Sequence, residues 1–305
     1  VNALATTRRA ALIALPIVIL IWSYNWIVMK QVLQYSGPFA FSALRFLIGT
    51  VVLFGVMLWR REPLAPPPFL LTALIGVAQT AGFQALVQCA LVEGAAGRTA
   101  LLAYTMPFWV VLLGWWLLAE RPTLRLWAGL LVAAAGLLLV LEPWQGQTSL
   151  RSAALAVLGG LSWAFGVILS KRLFRRCGVS ALSLTAWQML YGTVVLVAIA
   201  LPTHERPIEW SPAFVGALAY NGILASGLAW LLWSFVVSRL PASIAGLSSL
   251  SVPIAGIALA WLLLGERPSL MESLGIALIA AALTIVTWPA SVAVEKDARS
   301  SADGA

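Results

Sequence analysis

Three uncharged hydrogen-bonding residues, Thr80, Gln84 and Gln88, recur every four positions, and Gln79 and Phe83 widen the same stretch. On a helix that spacing makes one polar stripe. Amides and hydroxyls in such a row can hold a polar solute or tie helices together, but they do not relay protons. Other polar and aromatic groups are set into oily sequence in a similar way. Asn25 interrupts "WSYNWIVMK" at 22–30, Trp163 stands among Gly159, Gly166 and Ser170, and Trp187 pairs with Tyr191, as Tyr104 does with Phe108. Trp230 lies between Ser226 and Ser234, and Ser248, Ser249 and Ser251 soften the run before Pro253. Aromatic walls carrying a few polar groups are the usual build of a small-molecule site. The candidate substrate contacts are therefore Asn25, Gln79, Phe83, Gln84, Tyr104, Trp163, Trp187, Trp230 and Ser248. For the polar stripe and for Asn25, interhelical hydrogen bonding is an equal reading.

The residues that do acid–base chemistry are placed elsewhere. The carboxylates Glu62, Glu93, Glu120, Glu142, Glu205, Glu209, Glu266, Glu272, Glu295, Asp297 and Asp303 all fall in linkers, at the ends of apolar runs or in the tail, as does the sole histidine, His204. Enzymes and proton-coupled pumps both need such groups within the packed interior. Catalysis, a metal site, a cofactor and a dedicated proton relay are therefore not expected. The two cysteines, Cys89 and Cys177, are too far apart along the helices to bridge and read as small packing residues.

The elements that must position these groups follow from composition. Of 305 residues 61% are hydrophobic and only 10% charged, and mean hydropathy is +0.95, whereas soluble domains carry about 25% charged residues. A helix needs ~17–25 apolar residues to cross a bilayer. Ten such runs occur, near 12–32, 39–59, 69–91, 96–118, 124–141, 153–173, 181–201, 213–237, 242–264 and 270–288. Barrel strands would alternate in polarity, and "AGLLVAAAGLLLV" does not. The first run exceeds the ~7–15 residues of a signal-peptide core and reads as a true span.

Lys and Arg accumulate in cytoplasmic loops. With the amino terminus inside, the inner loops and termini hold thirteen (Arg8, Arg9, Arg60, Arg61, Arg121, Arg125, Lys171, Arg172, Arg175, Arg176, Arg239, Lys296, Arg299), and the outer ones five (Lys30, Arg98, Arg151, Arg206, Arg267). Both termini are thus expected in the cytoplasm. The net charge of +8 follows from orientation and does not imply a nucleic-acid partner. Arg45 falls within the second run, two turns from its outer end. Snorkelling to the interface or pairing with backbone carbonyls is the expected role, and receiving a substrate carboxylate is its rival.

The chain also repeats itself. "WSYNWIVMK" aligns with "WAFGVILSK" (163–171), "RFLIGTVVL" (45–53) with "QMLYGTVVL" (188–196), and "MPFWVVLLGWWLLAERPTL" (106–124) with "VPIAGIALAWLLLGERPSL" (252–270). Five runs per copy is an odd number, so the second copy must enter the membrane inverted, an arrangement typical of secondary transporters. The expected units are a first repeat over 1–145, an inverted one over 146–290 and a disordered cytoplasmic tail over 291–305. Lys30 and Lys171 then mark helix ends on opposite faces, from which each amine snorkels.

The first run, the "SALRF" that opens the second, and "LAERP" and "LGERP" after the fourth and ninth together resemble the EamA-type exporters of the drug/metabolite transporter superfamily. The resemblance spans the chain and is closest to the aromatic amino acid exporters of bacteria. It implies an all-α membrane protein in which spans one to four and six to nine surround a central cavity, with five and ten peripheral. It further implies export of neutral and aromatic amino acids across the inner membrane. Because no run holds a carboxylate near its centre, that transport is read as facilitative. The expected partners are the amino-acid substrate and the lipid bilayer, with a monomer as one possible state. A multidrug or other metabolite exporter of the same superfamily is the alternative, and a non-transporting scaffold the remaining one.

Overall fold

The computed structural model describes residues 2–93, 99, 102–141, 149–264 and 269–287, and among these the chain is helical, without strands. We label the segments in chain order. α1 is Asn2–Val32 and α2 Pro38–Trp59, while α3 runs from Phe69–Ile75 through a π-helical stretch, Gly76–Gly82, into Phe83–Glu93. α4 is Met106–Leu118, α5 Leu124–Leu141, α6 Leu150–Cys177 and α7 Ala181–Ala200. α8 runs from Pro212–Ala219 through a second π-helical stretch, Tyr220–Leu228, into Ala229–Arg239; α9 comprises Ala242–Ser248 and Ser251–Leu264, and α10 is Leu270–Thr287. Among the described residues, six stretches are long and apolar enough to cross a membrane: Arg9–Met29, Pro38–Trp59, Phe69–Ala90, Leu150–Cys177, Ala181–Ala200 and Pro212–Arg239. Four shorter apolar helices, Met106–Leu118, Leu124–Val140, Ala242–Gly256 and Ser273–Val286, accompany them.

Two of the expected straight spans are broken. The chain turns at Tyr104–Thr105 before α4 and again between Ser248 and Ser251 in α9. Pro107 and Pro253 are the cause, since each lacks an N–H and its ring clashes with the carbonyl four residues back. The backbone tightens there to three-residue bonds, Thr105 N to Leu102 O (3.1 Å) and Leu250 N to Leu247 O (3.0 Å). Gly160 on α6 accepts the first break at close range: a Cβ there would lie 2.8 Å from Ala103 O.

Helix ends are capped by short polar groups from nearby linkers. Ser180 and Ser211 accept from Ser183 N (3.0 Å) and Phe214 N (3.2 Å) at the starts of α7 and α8. α2 has no cap of its own and borrows Glu205 from the α7–α8 linker, whose carboxylate accepts from Phe39 N (3.0 Å) and Ala40 N (2.8 Å). A carboxylate there also complements the positive end of the helix dipole. At the opposite face Lys171 departs from its expected snorkelling. It is buried, and its Nζ donates to Val237 O (2.9 Å) and Leu240 O (2.5 Å), satisfying carbonyls at the end of α8. The side chain of Lys30 lies outside the described residues. Glu120, between α4 and α5, pairs with Arg175 at the end of α6. Both cysteines are exposed rather than packed, because each points away from the helix bundle.

The helices pack as α2 on α7, α3 and α4 on α6, α1 on α8 and α9, α2 on α8, α3 on α7, α4 on α9, and α5 on α10. Close approach depends on glycine at the crossings. A Cβ at Gly49 would sit 2.9 Å from Ser226 Cβ, and one at Gly192 would sit 2.7 Å from Gly76 O. Gly192→Leu is therefore expected to cost roughly 1–3 kcal/mol or more through overpacking and to lower the melting temperature in detergent. Gly216→Leu, where no atom lies within 4 Å, is expected to melt like the parent.

Candidate functional site

A narrow cavity of about 60 Å³ opens between α1, α2, α3, α6, α8 and the turn before α4. It has room for a few waters, so a larger solute enters only if the walls part. Trp22, Asn25, Trp26 and Met29 line it from α1, Arg45 from α2, and Phe83, Gln84 and Val87 from α3. Ala103, Tyr104 and Met106 around the turn before α4, Trp163 from α6 and Trp230 from α8 complete the lining. Helical periodicity explains the α1 contribution, because positions 22, 25, 26 and 29 fall on one face.

The apolar end is a cluster of indoles. Trp163 lies 5.0 Å from Trp230, 5.6 Å from Trp22 and 5.0 Å from Phe83, centroid to centroid, mostly edge to face. Trp233 joins the cluster, 5.7 Å from Trp22 and 6.1 Å from Trp163. Buried tryptophans need an acceptor for the indole N–H. Trp22 Nε1 donates to Ala225 O (3.1 Å), a carbonyl in the π-helical stretch of α8, and Trp26 Nε1 donates to Tyr104 Oη (2.9 Å).

The polar end is built around Arg45, which is only 6% exposed. Its guanidinium donates to Asn221 Oδ1 (3.0 Å) and Gln84 Oε1 (3.2 Å), and it lies 4.5 Å from the centroid of Phe46. The arginine does not snorkel and takes no backbone carbonyl, because α3 and α8 bring two amide oxygens to it. None of the cavity-lining residues is acidic, so the cation has no ionic partner in the site. Its Nε has no hydrogen-bond acceptor, and neither does the nearby Asn25 Oδ1 have a donor. The amide nitrogen of Asn25 is engaged with Met29 Sδ at 3.2 Å. A buried cation with a free donor, beside a free acceptor and an aromatic wall, is complementary to a small carboxylate that also carries a donor group and an apolar body.

Six of the nine residues singled out in the sequence, Asn25, Phe83, Gln84, Tyr104, Trp163 and Trp230, meet at this cavity. The other three stand elsewhere. Gln79 is buried against α6, where a Cβ on Gly166 would come within 2.6 Å of its own Cβ. Trp187 packs edge-on to Phe54 at 5.2 Å, and Ser248 is buried in the broken helix α9. The sequence reading passed over Trp22, Trp26 and Met29, although their spacing around Asn25 marks a single helix face. Among the described residues, none from α7 or α9 lines the cavity.

The model of the EamA-like transporter family matches residues 9–142 and again 150–288. The chain belongs to that family. Its EamA relatives include the uncharacterized transporter YoaV of Bacillus subtilis, 27% identical over 281 residues, covering 89% of this chain and 94% of the relative. A probable amino-acid metabolite efflux pump of Salmonella typhimurium is 28% identical over 291 residues, covering 92% and 95% respectively. Its Escherichia coli namesake is 27% identical over 292 residues, with the same coverage. A solved crystal structure shares the fold, with a TM-score of 0.77 at 22% identity over 92% of this chain and 96% of the other. The chain is accordingly a multi-pass membrane protein of a transporter family.

Proposed function

We propose that this EamA protein exports neutral and aromatic amino acids and related metabolites across the bacterial inner membrane, with both termini cytoplasmic. The observation that carries the reading is Arg45, a buried cation without an anionic partner in a cavity walled by indoles. A substrate carboxylate supplies the missing charge, Asn25 Oδ1 accepts from the ammonium, and the tryptophans receive the side chain. A cationic drug is disfavoured, since it would meet a like charge in a desolvated site. The relatives named as probable amino-acid metabolite efflux pumps point the same way.

Alternating access between two inverted five-helix halves is the proposed mechanism. It is supported by residues that the internal repeat equates and that meet one another, as residues on a two-fold axis do. Thr50 and Thr193 approach to 3.3 Å, and Trp22 touches Trp163. Helix contacts pair up as well, α1 on α8 corresponding to α6 on α3, and α1 on α9 to α6 on α4. Both halves carry a π-helical stretch at corresponding positions, and such stretches recur at functional sites. Transport is facilitative, because the carboxylates and His204 lie in linkers, helix ends or tail.

Counterflow in liposomes tests this. Labelled phenylalanine or threonine is expected to accumulate transiently against its unlabelled form, unchanged by an imposed pH gradient, whereas phenethylamine is not carried. Absence of flux for every amino acid tried would sink the reading. Steady accumulation driven by the pH gradient would remove its facilitative part.

A further inference from the structure

Ser42 on α2 is the hub of a hydrogen-bond chain that fixes the orientation of two amides. Its hydroxyl donates to Pro38 O at 2.7 Å, so only its lone pairs remain, and these accept from Gln84 Nε2 (3.3 Å) and Gln88 Nε2 (3.2 Å). Each glutamine must therefore show its nitrogen to Ser42 and its oxygen away from it, since a flipped amide would set lone pair against lone pair. The Gln84 oxygen is thereby presented to Arg45. The Gln88 oxygen has no partner, although its side chain is only 1% exposed. A buried acceptor left unmet is costly.

Gln88 lines a second and roomier pocket, of about 310 Å³, at the face opposite the amino terminus. Ser36, whose buried hydroxyl also has no partner, lines it too, together with Glu205 and Arg206. Glu205 spends one lone pair of each oxygen on the start of α2 and retains others. Arg206 donates to Leu33 O, and its guanidinium has further N–H groups to offer. The pocket thus holds one anion, one cation and two unmet neutral groups, which is the pattern of a zwitterion. The central cavity holds the cation alone.

We propose that this pocket is a second substrate-holding site, a vestibule where a zwitterionic amino acid rests with its ammonium at Gln88 Oε1 and Glu205 and its carboxylate at Arg206. The chain Arg45–Gln84–Ser42–Gln88 joins it to the central cavity, so the solute passes between the two along a row of oriented amides. This rests on the amino-acid reading of the central cavity.

Equilibrium dialysis of labelled L-phenylalanine against the purified full-length chain is expected to give two molecules bound per chain. Gln88→Leu is expected to weaken the second by about tenfold or more and leave the first in place. One molecule per chain, unchanged by Gln88→Leu, would overturn the vestibule while leaving the central site standing. No binding at all would overturn the amino-acid reading and the vestibule with it. An independent readout uses Ser36→Cys in a chain also carrying Cys89→Ser and Cys177→Ser. Saturating phenylalanine is expected to slow its reaction with a polar maleimide several-fold, and an unchanged rate would again overturn the vestibule.

Discussion

Arg45→Gln is expected to weaken binding of a neutral amino acid by about 10- to 100-fold while leaving the folded protein as stable as before, or more so. Hydrogen bonds to a charged group contribute about 1.5–3 kcal/mol, and each 1.4 kcal/mol is about tenfold in affinity. The partners of the guanidinium within the protein are all neutral, the oxygens of Asn221 and Gln84 and the sulfur of Met29. Its burial is a desolvation cost that a carboxylate bound there would offset. Glutamine is also the residue the chain itself carries at the repeat-equivalent position, Gln188, which is buried too. Dialysis against labelled phenylalanine and melting in detergent read the two effects separately. Arg45→Lys keeps the charge but loses the planar fork and is expected to fall between parent and Arg45→Gln. Unaltered affinity in Arg45→Gln would remove the carboxylate from that end of the cavity.

Trp163→Ala is expected to act in the opposite sense, on stability first. The indole is 4% exposed and touches Trp22, Phe83, Trp230 and Trp233, and deleting a buried tryptophan costs about 3–5 kcal/mol. Trp163→Phe keeps most of that packing while enlarging the aromatic end of the cavity. Its transport is expected to shift toward bulkier side chains, with the ratio of tryptophan to threonine flux rising by about tenfold, a size effect within the range apolar pockets give. A ratio unchanged from the parent, in a variant that melts normally, would show that Trp163 is scaffold rather than wall.

Much of the architecture was legible because membrane proteins announce their elements through composition. Apolar runs of spanning length, charged linkers and the repeated "GERP"-type endings located the helices, since uninterrupted apolar sequence has few other stable solutions in lipid. The breaks near Thr105 and Ser249 were written in Pro107 and Pro253, but a proline alone does not say whether a helix will kink or stop. That outcome depends on neighbours such as Gly160, which leave room for a turn. The positive charges of Arg45 and Lys171 were visible, yet Lys171 was expected to reach the interface, and Arg45 to do the same or to pair with backbone carbonyls. Both instead stay inside, because oxygen acceptors from other helices come to meet them.

The sequence by itself determined the solvent, the helical class, the internal duplication and the residue types set along the apolar runs: neutral amides, indoles and Arg45, with the carboxylates in linkers, at run ends or in the tail. Each of these depends only on residue type and spacing. The tertiary structure alone decided which of those groups share a cavity. Periodicity assigns a residue to a helix face but cannot say what that face meets. Gln79 and Gln84 belong to neighbouring faces of α3, and one is buried against Gly166 while the other reaches Arg45. The partners of Arg45 come from positions 39 and 176 residues away along the chain, contacts that exist only once α2, α3 and α8 are packed together.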